Sequence, residues 1–117
     1  MGMAIEIRDD RAAGRLRAYE GTERVGVIAY FVLASEPGAG ALVAVHTVVE
    51  PGHEGKGIAG DLVRTFYGIA AAEGVAVVPL CPYAASWAAR HPDLAPQPPA
   101  EVVAAAKQQL DTDPTLW

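Results

Sequence analysis

The chain has 117 residues, 51% of them apolar, with a formal charge of −5 from 9 basic and 14 acidic side chains. This is the size of one ordinary domain with enough apolar material for a core, which excludes a disordered chain, and the acidic balance excludes a general nucleic-acid surface. One cysteine excludes an internal disulfide, and no Cys/His cluster has zinc spacing. No apolar run is long enough to span a bilayer and MGMAIEIRDD lacks the apolar stretch of a signal peptide, so a soluble, cytoplasmic protein without a membrane partner is expected.

The first half reads as strands. AIEIR (4–8) and GRLRAYE (14–20) alternate apolar and polar residues, as half-solvated antiparallel strands do, with turn residues in DDRAAG and EGTE. RVGVIAYFVLAS (24–35) and ALVAVHTVVE (41–50) are apolar on both faces and rich in β-branched residues, which suits central strands joined by a hairpin loop at 36–40. After Pro51 the period changes. Ile58, Leu62, Phe66 and Ile69 form one stripe of a helix over 57–73, with Gly74 to end it. VAVVPL (75–80) is a short buried strand. PYAASWAARH (82–91) is a second helix, opened by Pro82 and stopped by Pro92. PDLAPQPP (92–99) is a stiff linker, 100–110 is helix-prone, and 111–117 is a tail. The order β-β-β-β-α-β-α plus an appended helix is a mixed α/β fold.

The stretch VVEPGHEGKGIAGDL (48–62) carries the densest signal. Gly52 and Gly57 have P-loop spacing, but Ile58 and Ala59 stand where a P-loop has its lysine and hydroxyl. Gly55, Gly57 and Gly60 spell the dinucleotide fingerprint, yet four strands precede it and no carboxylate follows at the ribose position. Two readings remain: a glycine-rich strand-to-helix turn without a ligand, or a cradle in which the free N–H groups of residues 55–59 and the helix dipole meet a pyrophosphate.

On these residues the chain resembles the GNAT acetyltransferase superfamily, whose acetyl-CoA loop reads Gln/Arg-x-x-Gly-x-Gly/Ala after a strand. The pattern falls on Glu54-Gly55-Lys56-Gly57-Ile58-Ala59, with Glu54 standing where Gln or Arg is usual. HTVV (46–49), GKGIA (55–59), PLCPY (79–83) and Trp87 with His91-Pro92 are similar to the small, minimal members of that superfamily, over roughly residues 5 to 95. The resemblance implies a mostly antiparallel sheet flanked by helices, a GNAT-like acetyl-CoA-binding domain over 1–95, and a linker, helix and tail over 96–117. It implies acetyl-CoA as co-substrate, an N-acetyltransferase reaction on a small amine or a protein lysine, and binding by Val48, Val49, Glu54, Gly55, Lys56, Gly57, Ile58 and Ala59.

Three residues are candidates for the chemistry. His46, on the central strand with Leu42, Ala44 and Val48, reads as a core histidine or as a base near the acetyl group. Cys81 ends a strand and precedes a helix N-terminus. It reads as a small buried hydrophobe, a residue lining the cleft, or a nucleophile that takes the acetyl group. Tyr83 reads as a surface residue or as the acid that protonates the departing thiolate. Tyr67 and Trp87 are core or cleft-wall aromatics. Glu50 and Glu54 are solvated or attract a cationic amine. The chain lacks the helices that build an acceptor wall between the first two strands of larger relatives, so the acceptor site is expected to be open or completed by a partner or a second copy. The alternative function is a non-catalytic CoA-binding module, and a third is a structural subunit with an empty cleft.

Overall fold

The structure, a computed structural model, describes residues 5–34, 39–55 and 57–113. Five strands form one sheet in chain order: β1 (Ile5–Asp10), β2 (Arg15–Glu20), β3 (Glu23–Ala34), β4 (Ala39–Val49) and β5 (Ala76–Pro79). The first three pairings are antiparallel and β4–β5 is parallel, because helix α1 (Ile58–Glu73) carries the chain back across the sheet between those two strands. Helices α2 (Pro82–Arg90) and α3 (Ala100–Thr112) follow. The mixed, mostly antiparallel sheet flanked by helices matches the fold class expected from the sequence. β4 begins at Ala39, inside the expected 36–40 loop, of which residues 36–38 lie outside the described residues. Among the described residues, no helix is long and apolar enough to cross a membrane.

Each face of the sheet has its own core. On one face the α1 stripe brings Ile58, Leu62, Phe66 and Ala70 onto Leu16, Ala18, Ile28, Tyr30, Leu42 and Ala44. Leu62 and Val63 are fully buried, and each such side chain contributes about 1.5–3 kcal/mol of transfer free energy. Gly26 of β3 lets the helix approach: a Cβ there would lie 3.0 Å from both Ile58 Cγ2 and Leu62 Cδ1. On the other face α3 sets Ala106 and Leu110 against Phe31, Ala41, Val43, Val45 and Val78. Residues 92–98 run between α2 and α3, with Ala95 buried in the core.

Two irregularities position the candidate site. The register of β4 against β3 slips between Ala29↔His46 and Tyr30↔Ala44, leaving Val45 as an extra residue, a β-bulge. Pairing of β4 with β5 ends at Ala44↔Pro79, where the Ala44 carbonyl accepts both the Leu80 N–H (3.0 Å) and the Cys81 N–H (3.1 Å). Beyond that point the two strands part.

Candidate active site

The loop after β4 is shaped by glycine. Gly52, Gly55 and Gly57 all hold positive φ (89°, 80° and 80°), a conformation that side chains with a Cβ adopt only at a cost. At none of the three would a Cβ meet another atom within 4 Å, so backbone rather than side chain faces the space beside the loop. Gly57 is the N-cap of α1 and offers no capping side chain. The first helical bond runs from the Asp61 N–H to the Gly57 carbonyl (3.0 Å), so the N–H groups of Ile58, Ala59 and Gly60 have no partner within the helix. Gly60 differs: a Cβ there would stand in ordinary contact, 3.6 Å from Tyr83 Oη and 3.8 Å from Trp87 Nε1, which shows how near α2 lies to the start of α1.

These elements surround a cleft of about 290 Å³ lined by Val49, His53, Glu54, Gly55, Gly57, Ile58, Ala59 and Tyr83. Val49, Glu54, Gly55, Gly57, Ile58, Ala59 and Tyr83 were all expected at a site, and the fold gathers them in one place. Lys56 lies outside the described residues. His53 is an addition. Its Nε2 stands 3.2 Å from Glu23 Oε2, which ties the loop to the β2–β3 turn. A larger groove, of about 600 Å³, lies between α2, α3, β5 and residues 92–98. Its lining is apolar apart from Tyr67, Gln97 and Lys107, and it holds none of the candidate reactive groups.

The bulge corrects one expectation. His46 was expected to share a face with Leu42 and Ala44. The extra residue at Val45 reverses the alternation, so His46 is exposed on the other face and Thr47 takes the inner position. Val48 follows His46 to that outer face and is half-exposed. Thr47 is therefore the β4 side chain that meets Cys81: the thiol Sγ donates to Thr47 Oγ1 at 3.3 Å. Cys81 is buried, and its backbone occupies the N-cap of α2 in an extended conformation. Tyr83 lies two residues further along that helix and is partly exposed in the cleft. Trp87, one turn on, stacks between Tyr67 (5.8 Å between centroids) and His91 (4.1 Å), which fixes α2 against α1. Sequence reasoning missed Thr47 because a bulge leaves no mark in an apolar run.

Backbone direction adds a further feature. The Glu50 N–H bonds the Val25 carbonyl (2.9 Å), so Glu50 and Val48 direct their polar groups at β3. By alternation Thr47 and Val49 direct theirs to the side that β5 has left. The cleft thus has an amide-rich end at α1 and an unpaired strand edge leading toward Thr47 and Cys81. Among the described residues, no group of three His, Cys, Asp or Glu side chains is placed to hold a metal ion.

A glycine loop at a helix start, with N–H groups that have no partner within the helix, suits a phosphate-bearing ligand. Comparison of families agrees: the GCN5-related N-acetyl-transferase family matches residues 15–96, and the chain belongs to that family. The match spans every element that lines the cleft, which therefore lies within the GCN5-related N-acetyl-transferase domain. No curated protein sequence matches the chain.

Proposed function

We propose that the protein transfers the acetyl group of acetyl-CoA to an amine, on a small molecule or a protein lysine, by way of Cys81. The observation that carries this reading is the Thr47–Cys81 contact where β4 and β5 part, each residue two positions along the chain from a cleft residue, Val49 and Tyr83 respectively. The pyrophosphate would meet the N–H groups of residues 55–59, with Lys56 supplying the one cation of the loop sequence. The amides of the pantetheine arm suit the outward polar groups of Thr47 and Val49. The acetyl thioester then reaches Cys81.

The chemistry follows from these positions. The Cys81 sulfur attacks the thioester carbonyl, an Sγ–C bond forms, the C–S bond to CoA breaks, and the CoA sulfur leaves with a proton. Tyr83, which lines the cleft, is suited to deliver that proton. An unprotonated amine then attacks the acetyl-cysteine and regenerates the thiol. His46, on the other face of the sheet, has no step in this scheme. The acceptor side is open: β1 and β2 are joined by the short turn at 11–14, with no intervening helix to form a wall. A partner or a second copy of the chain would complete it.

The test is release of free CoA thiol from acetyl-CoA in the presence of a panel of amines and lysine peptides. Release that saturates with both substrates supports the reading. CoA binding without release, under any acceptor, would instead support a non-catalytic CoA-binding module.

A further inference from the structure

We propose that Thr47 is a positioning residue for Cys81, an inference that rests on the acetyl-transfer reading above. A residue at an N-cap ordinarily turns its side chain back to the free N–H groups of the helix. Cys81 makes no such bond; its sulfur points across the strand gap to Thr47 Oγ1 instead. The hydroxyl therefore sets the direction of the thiol. It does so only because the bulge at Val45 exchanges the bulky imidazole of His46 for a small hydroxyl on the inner face.

The contact suits both protonation states. With the thiol neutral, Sγ–H donates to Oγ1. Once the thiol has lost its proton, the Thr47 hydroxyl rotates and donates to the sulfur anion. Cys81 is only 5% exposed, so an anion there has little water to rely on, and an unmet charge in such a place is costly. No proton passes through Thr47 in the net reaction. The CoA sulfur gains one proton from Tyr83 and the proton lost by the thiol restores the Tyr83 hydroxyl, while the Thr47 hydroxyl only changes the direction of its hydrogen bond.

Two substitutions separate orientation from packing. Thr47→Val keeps the shape and removes the hydroxyl; Thr47→Ser keeps the hydroxyl and removes a methyl. The readout is the rate of alkylation by iodoacetamide, which reports Cys81 alone because the chain has one cysteine. Thr47→Val should slow alkylation about tenfold or more, with the melting temperature retained, because a hydrogen bond to a charged group is lost. Thr47→Ser should stay within about twofold of wild type, since the hydrogen bond survives. A packing role predicts the reverse order, and that order, or an unreactive wild-type thiol, would overturn the inference. Acetylation of Cys81 by acetyl-CoA should follow the same ranking. If wild type takes up no acetyl group while the alkylation ranking holds, the positioning role stands and the acyl-transfer reading falls.

Discussion

The two ends of α1 are built on opposite lines. At the C-terminal end the helix is closed by its own backbone and by the sheet. Gly74 adopts the left-handed conformation and its N–H returns to the Ala70 and Ala71 carbonyls, while the Val75 N–H takes Ala70 as well (3.0 Å). Glu73 sits where the dipole disfavours a carboxylate, and the last turn holds no basic residue. Arg11, from the β1–β2 turn, makes good the deficit: its Nη1 donates to Glu73 Oε1 at 3.1 Å and its Nη2 to Oε2, and its Nε donates to Tyr30 Oη at 3.2 Å. Tyr30 in turn donates to Asp9, so turn, sheet and helix are tied together. At the N-terminal end the helix begins on a glycine, no side chain caps it, and a cleft lies alongside. The closed end holds the sheet to the helix; the open end leaves polar backbone available for a ligand. On the proposed reading, a single helix serves stability at one tip and binding at the other.

Four changes would break or sharpen this contrast. The largest effect is expected at the closed end. Gly14 has a φ of 66°, and a Cβ there would lie 2.3 Å from the Tyr30 carbonyl oxygen. Gly14→Ala should cost about 3 kcal/mol or more of folding stability, read by urea denaturation, because strain and overlap add. At the open end Gly57→Val should leave the fold in place at a cost of about 1–2 kcal/mol for a left-handed residue. It should weaken CoA binding at least about thirtyfold, roughly 2 kcal/mol, by filling the cradle. Unchanged affinity by calorimetry would place the ligand elsewhere. The third is a pH effect at the closed end. Burial, and then the hydrogen bond to Asp9, push the Tyr30 hydroxyl up to about 12. Its neutral form is favoured by folding, so this stability is complete below the free tyrosine value near 10 and is lost as pH rises toward 12. Tyr67, pushed up to about 12 by burial, adds to the same loss. Urea midpoints that fall between pH 9 and 12 in wild type should fall less steeply in Tyr30→Phe; identical slopes would contradict the assignment. The smallest effect is at Glu54. Removing a carboxylate beside the helix start, as in Glu54→Gln, should tighten CoA binding by about 0.3–1 kcal/mol, and weaker binding would mean that Glu54 makes a needed contact.

At the closed end the capping Gly74 was legible in the sequence but the ties from the sheet were not, whereas the loop and helix start at the open end were legible as local signals. The helix stripe of Ile58, Leu62 and Phe66 and the shift from strand to helix at Pro51 are local signals, and the glycines at 52, 55 and 57 mark a tight loop, where all three take positive φ. The Arg11–Glu73 pair joins residues 62 apart, and neither stands out among other charged side chains. The same division runs through the reactive residues. Cys81 and Tyr83 follow from a strand-to-helix boundary that the proline at 82 announces. The exchange of His46 for Thr47 depends on one unpaired residue in β4. Alternation counted along ALVAVHTVV points to the wrong side chain, because nothing in an apolar strand says where its register slips.

The central claim, that the cleft delivers an acetyl group to Cys81, is tested most directly by intact mass. Wild type and Cys81→Ala are each incubated with acetyl-CoA in the absence of an amine and quenched in acid to preserve a thioester. The account predicts one acetyl group on wild type and none on the variant, with the adduct discharged when an accepted amine is added. An adduct of equal size on both proteins, or none on wild type at saturating acetyl-CoA, would contradict it.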